Sequence, residues 1–172
     1  MRSRILLAAV LSATLAAVAA QSQTPRASAN RDSAQAVTET KHLKITTSSS
    51  ASTLAAGGRV QLFVSVEPKP RMHVYAPEQN DYIPISLTLA AHTAIRAERV
   101  QFPKGEKFFF EPLKETQIVY SKPFRITQPV TLSSSAAGPV TIKGTVRYQA
   151  CDEFMCYPPK NVDTKWAIRI AG

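Results

Sequence analysis

The chain has 172 residues, with 21 Lys and Arg against 12 Asp and Glu for a formal charge of +9, and only 6 glycines beside 12 prolines. That length is one domain by default, and 44% hydrophobic with 19% charged residues excludes a disordered or coiled-coil chain. Two cysteines exclude a disulfide-rich mini-scaffold and a four-cysteine zinc site, leaving at most one bond.

The first segment does not belong to the fold. Arg2 and Arg4 precede the apolar run from Ile5 to Leu11, which continues to small residues at Val18-Ala19-Ala20. A basic start, an apolar stretch and a small-residue end predict a secretory signal peptide over 1–20. The run is interrupted by Ser12 and Thr14 and falls short of the ~20 apolar residues of a spanning helix. No later stretch is apolar enough to span a bilayer, so a mature chain without membrane insertion is expected. Residues 21–42 are Ser, Ala, Gln and Thr with scattered charges. They lack apolar periodicity and read as a flexible linker. The remaining 130 residues, 43–172, carry 16 basic and 10 acidic side chains, net +6, and form the expected single domain.

Its pattern is β throughout. Val60, Leu62, Val64 and Val66 alternate onto one face, as do Ile83, Ile85, Leu87 and Leu89. Further strands are expected over 43–48, 72–76, 95–102, 116–120, 124–133, 139–149 and 164–170. Turn signals separate them at Gly57-Gly58, Pro68 and Pro70, Pro103-Lys104-Gly105 and Gly138-Pro139. A helical turn fits only within 90–99. Short strands at this spacing predict a sandwich or barrel of antiparallel strands. In Phe108-Phe109-Phe110 three rings cannot all face inward on a strand, so one is exposed or on a loop, where it marks a contact surface. Tyr75, Tyr148 and Phe154 read as core or sheet residues from their ordinary burial tendency.

Both cysteines fall in Gln149-Ala150-Cys151-Asp152-Glu153-Phe154-Met155-Cys156-Tyr157-Pro158-Pro159. In an exported chain a disulfide is permitted. A bond between them closes a six-residue loop, worth ~2 kcal/mol by loop entropy against nearly ~5 kcal/mol for a long loop. The spacing alone leaves open both a structural staple and a working redox bond.

The run Tyr148-Gln149-Ala150-Cys151 with Cys156-Tyr157-Pro158-Pro159 resembles the active-site segment of the N-terminal periplasmic domains of the DsbD thiol:disulfide interchange family. Met72-His73-Val74-Tyr75-Ala76-Pro77 and the strand after it are similar to the family's early strands. The resemblance implies an immunoglobulin-like sandwich with Cys151 and Cys156 as its redox pair, Cys156 forming mixed disulfides and Cys151 resolving them. It implies a periplasmic component of protein-disulfide reduction, passing electrons from a thioredoxin-like donor to disulfide isomerases or cytochrome-maturation thioredoxins. Phe108, Phe109, Phe110, Tyr75 and Tyr157 are then the cap or partner-docking residues. No cofactor and no metal are implied, and a monomer is expected.

Two other readings stand beside this one. One is a non-enzymatic protein-binding sandwich with a structural disulfide. The other is a copper-handling module using Met72-His73 and Met155-Cys156 as soft donors. His42, His73 and His92 are scattered without metal-ligand spacing. There is no Gly-rich phosphate loop and no nucleophile elbow. The basic residues form no cluster, which argues against nucleic acid as a partner.

Asp152 and Glu153 lie inside the cysteine loop, while Arg147 and Lys160 stand four residues outside it. Nearby carboxylates disfavour a thiolate, so the reduced pair reacts slowly with random disulfides. The Cys156 thiol of the reduced protein is expected to titrate at an ordinary or raised value. Alkylation rate against pH measures it, and a value of about 4, as in strongly activated thiols, overturns the expectation.

Overall fold

The computed structural model describes residues 35–171, so the leader expected over 1–20 and most of the linker lie outside the described residues. The chain runs through β1 (Ala36–Glu39), β2 (Leu43–Ser49), β3 (Thr53–Ala55), β4 (Arg59–Pro68), β5 (His73–Tyr75), β6 (Ser86–Leu89) and β7 (Ile95–Ala97). It continues with β8 (Glu106–Phe110), β9 (Glu115–Tyr120), β10 (Phe124–Leu132), β11 (Gly138–Tyr148), β12 (Ala150–Cys151) and β13 (Lys160–Ala171). One 3-10 turn, Glu111–Leu113, links β8 to β9.

Alternating side chains build two large sheets. The first has the order β1-β2-β4-β10-β7 and the second β3-β13-β11-β6. All neighbours are antiparallel except β3 and β13. Val60, Leu62, Val64 and Val66 of β4 are buried with Ile126 and Val130 of β10 in one core with Ile142 and Val146 of β11 and Trp166 and Ile168 of β13. Each such side chain contributes about 1.5–3 kcal/mol by leaving water. The Trp166 indole donates to the Phe63 carbonyl at 3.2 Å, which ties the two sheets together across the core. This is the all-β, immunoglobulin-like antiparallel sandwich that the sequence led us to expect.

A third sheet, β12-β5-β9-β8, positions the cysteines. One of its faces sends Val74, Ala76, Tyr120 and Ala150 into the main core. The other carries Tyr75, Val119 and Cys151 as a second, smaller apolar cluster, with Tyr82, Phe108 and Cys156 packed against it.

Several elements differ from expectation. Within the linker expected over 21–42, Ala36–Glu39 instead form strand β1, paired with β2 from Ala36↔Thr47 to Glu39↔Lys44. Its single large apolar side chain, Val37, is exposed, so nothing in its composition marks a strand. The Thr40 hydroxyl holds the hairpin, accepting from the Leu43 N–H at 2.9 Å. Strand β6 begins at Ser86 rather than Ile83, because Pro84 has no N–H for a ladder and Ile85 instead donates to the Tyr75 carbonyl. The stretch 90–99 closes one turn, Ile95 N–H to His92 carbonyl, and then enters β7. Phe108–Phe110 lie on strand β8.

Gly105 enters β8 against the third sheet. A Cβ there would lie 2.6 Å from Ile118 Cγ2 and 2.7 Å from Ala76 Cβ, closer than packed atoms tolerate. Gly105→Ala is therefore expected to lower stability by about 1–3 kcal/mol, as overpacking does. The urea midpoint measures it, and an unchanged midpoint would show that β8 is not seated on Ala76 and Ile118.

Candidate functional site: a disulfide hairpin on the third sheet

Cys151 and Cys156 are joined by a disulfide, with Cα atoms 4.0 Å apart. They sit opposite one another as an antiparallel bridge, closed by Tyr157 N–H to Ala150 carbonyl at 2.8 Å and Asp152 N–H to Met155 carbonyl at 3.0 Å. The four residues between them form a tight hairpin turn. Asp152 organises that turn from its first position, as an Asx residue does. Its Oδ1 accepts from the Phe154 and Met155 N–H groups at 2.8 and 2.9 Å, and its Oδ2 accepts from the Tyr157 hydroxyl at 2.7 Å. These bonds, the tyrosine first, hold the Asp152 carboxyl below its usual range and raise the Tyr157 phenol. A fixed negative charge thus sits in the cysteine loop.

The two sulfurs differ. Cys151 is fully buried, because β12 pairs it with His73 on β5. Cys156 is half-buried, and just before it Phe154 and Met155 stand 77% and 54% exposed. The Tyr75 hydroxyl lies 3.2 Å from Cys156 Sγ and 3.3 Å from Cys151 Sγ. With both sulfurs in the bond, only the phenol can donate. Burial, then the nearby Tyr82 and Glu115, raise the Tyr75 phenol well above its ordinary value, so it stays protonated. Tyr82 stacks on it with ring centres 4.4 Å apart and donates to Glu115, which also accepts from the Gln117 amide at 2.7 Å.

His73 completes the buried face. Its ring lies edge-on to Tyr75 at 6.2 Å and 4.6 Å from Phe108. Its Nε2, like Gln117 Oε1, is buried with no hydrogen-bond partner among the described residues. Burial pushes the imidazole down from 6.5, opposed in part by the Gln117 amide and the Asp152 charge. On the other side of the hairpin the buried His42 ring faces Tyr157 at 4.5 Å. Burial and the charges of Lys41 and Lys160 lower it as well.

Of the residues expected at the site, the fold brings together Cys151, Cys156, Tyr75 and Phe108. Phe110 is buried outside that cluster, and Phe109 is 51% exposed on the opposite face of β8. Tyr157 reaches the site through Asp152. Phe154, read as a core or sheet residue, is instead the exposed tip of the hairpin, because the turn leaves no sheet to cover it. Tyr82, Gln117 and Glu115 were not singled out by sequence. The period of two in Glu115-Thr116-Gln117-Ile118-Val119 is the signal that places Glu115 and Gln117 on the cysteine face. Among the described residues no group of three or more His, Cys, Asp or Glu lies close enough to hold a metal ion. A cleft of about 710 Å³ between Ile45, Thr47, Leu89 and Thr164 touches none of these groups.

The fold and the site define an all-β sandwich that carries one disulfide on a tight hairpin, with one sulfur buried and the other at the surface. The sequence profile of the family described as thiol:disulfide interchange protein DsbD, N-terminal, matches residues 42–166. The chain belongs to that family. No curated protein sequence matches it. Its fold is similar to the N-terminal periplasmic domain of ScsB from Proteus mirabilis, with TM-score 0.52 and 12% identity over 80% of this chain and 51% of that one. This chain thus spans about half the length of that relative. The DsbD N-terminal domain of Neisseria meningitidis in the reduced form gives 23% identity and TM-score 0.41 over 64% of this chain and 78% of that one. A Neisseria meningitidis complex between the DsbD N-terminal and PilB N-terminal domains gives 23% and 0.42 over 62% and 73%. Among the described residues no helix is long and apolar enough to cross a membrane.

The two buried histidines set a pH dependence. Their folded-state values lie below the unfolded 6.5, so below that pH the unfolded chain binds more protons than the folded one. Stability is full above about pH 6.5 and is lost as pH falls from there through the folded values. Urea midpoints at about pH 7.5 and pH 5.5 are expected to show this loss, with a smaller loss in His42→Phe. A midpoint that rises on acidification refutes it.

Proposed function

We propose that this domain is a periplasmic carrier of reducing equivalents, a component of protein-disulfide reduction working through Cys151 and Cys156. The observation that carries the reading is the unequal exposure of the two sulfurs. Cys156 sits half-exposed at a hairpin whose tip offers Phe154 and Met155 to a partner, while Cys151 is sealed beneath Tyr75. Cys156 is then the sulfur that forms the mixed disulfide and Cys151 the one that resolves it. Thiol exchange proceeds by thiolate attack in line with a sulfur–sulfur bond, which only the exposed member can begin. Phe108, with Tyr75, shields the bond from the side of the third sheet. Thioredoxin-like proteins are the donor and acceptor in this reading, supported by family membership and by the neighbouring complex of a DsbD N-terminal domain with a PilB N-terminal domain. Export by residues 1–20 and a linker after them put the domain in the periplasm. It acts as a monomer.

Complete burial of Cys151 favours a second reading, an inert bond within a protein-binding sandwich. A redox titration followed by thiol-alkylation gel shift separates the two. A bond that is reduced near thioredoxin's potential of about −270 mV supports exchange, and one that survives strong reductant supports the staple. In the exchange reading Cys151→Ser leaves Cys156 to accumulate a mixed disulfide with a thioredoxin-like protein, and Cys156→Ser does not. Trapping by Cys156→Ser alone would reverse the assigned roles.

A further inference from the structure

Resolution of the mixed disulfide requires a thiolate at Cys151, yet that sulfur is 0% exposed and cannot hand its proton to bulk water. The groups around it differ in what they can accept. Tyr75 is already protonated and donates toward the sulfurs. Asp152 is committed to three hydrogen bonds, and Glu115 to Tyr82 and Gln117. Both carboxyls are held ionised by those bonds, which makes them weak bases. His73 remains. It is the direct cross-strand partner of Cys151, so the two side chains share a face with Cβ atoms about 4.5–5.5 Å apart. It is 2% exposed, and its Nε2 has no hydrogen-bond partner among the described residues.

We propose that His73 is the proton acceptor for Cys151 in the resolving step. The inference rests on the exchange reading above. In that step the Cys151 thiol gives its proton to His73, and the thiolate attacks Cys156 Sγ of the mixed disulfide. The Cys151–Cys156 bond forms, the bond from Cys156 to the partner sulfur breaks, and the partner thiolate leaves and takes up the proton. Two thiols of the domain are oxidised by two electrons, and the partner disulfide is reduced to two thiols. The groups that face the imidazole are Cys151 from β12, Tyr75 on its own strand, Phe108 from β8, Gln117 from β9 and the charge of Asp152 in the hairpin. Burial keeps the ring neutral at neutral pH, as a base must be. Gln117 and Asp152 favour the charged ring that the step produces.

Stopped-flow oxidation of the fully reduced protein by dithiodipyridine, with a chelator present, tests this. The first thiopyridone released reports attack by Cys156 and the second reports resolution by Cys151. In the wild type the second phase is expected to be nearly flat at and above about pH 6.5, and to fall only at lower pH, where the buried imidazole protonates. His73→Gln is expected to leave the first phase unchanged and to slow the second at least tenfold at pH 7, the low side of the ~10²–10⁴-fold of positioned proton transfer. Its second phase then climbs with pH toward the thiol's own ionisation. His73→Phe keeps the aromatic contact with Phe108 and is expected to behave like His73→Gln, which removes packing as the cause. A second phase with the wild-type rate and pH profile in both variants overturns the proposal while leaving exchange intact. Release of only one thiopyridone by the wild type overturns the exchange reading itself.

Discussion

Strand β5 has three residues and no solvent-facing side, since His73, Val74 and Tyr75 are all buried. Val74 turns into the main core with Ala76 and Ala150. Its neighbours, on the other face, turn to the disulfide. Side chains alternate along a strand, so the seating of Val74 fixes where the imidazole and the phenol point. A slip of one residue would send Val74 to the cysteines and two polar rings into the sandwich. The lost burial costs about 1.5–3 kcal/mol, and each stranded polar group about 1–3 kcal/mol more. The geometry at the sulfurs is thus enforced by the core of the whole domain rather than by the short loop that contains them.

The electrostatics around the bond are built from tyrosine–carboxylate pairs. Tyr82 with Glu115 and Tyr157 with Asp152 each share a hydrogen bond that favours a protonated phenol and an ionised carboxylate. In both pairs the phenol shifts up and the carboxyl down, as one interaction seen from its two ends requires. The result is negative charge on either side of the sulfurs, with one neutral donor, Tyr75, between them. Loop closure over six residues adds only ~2 kcal/mol. The balance between bond and thiols is therefore governed by these contacts and not by chain entropy.

Much of this was legible in the sequence, for a physical reason. β4, β10, β11 and β13 bury alternate residues over nine or more positions, so hydrophobic period alone defines them. The cysteine motif likewise carries its own local chemistry. The short strands β1, β3, β8 and β12 were not legible, because each is made by its neighbour's backbone and not by its own composition. β1 pairs along four residues with hardly any apolar side chain to bury. For β8 the sequence required only that one of the three rings be exposed or on a loop, because three phenylalanines in a row break any simple period. In the fold they divide among a half-buried, an exposed and a buried position. The placing of His73 beside Cys151 and the turn bonds of Asp152 were not visible in the sequence. Cross-strand register and an Asx turn set those positions, and neither can be read from spacing.

The hairpin tip bears on how such a bond works. Asp152 satisfies the backbone of the turn by itself, so polar residues at positions 154 and 155 would fold there equally well. Instead Phe154 and Met155 stand in water, leaving unrealised the ~1.5–3 kcal/mol that burial of each would contribute. An inert staple gains nothing from that arrangement. A hairpin that must meet another protein recovers the energy on contact, and it does so beside Cys156, where a partner sulfur has to be held in line for attack. Fixed carboxylates that discourage the thiolate in the isolated domain then work with the apolar tip. In the exchange reading they would together keep reactivity low until a partner covers Phe154 and Met155 and displaces water from around Cys156, which would make the exchange a property of the complex.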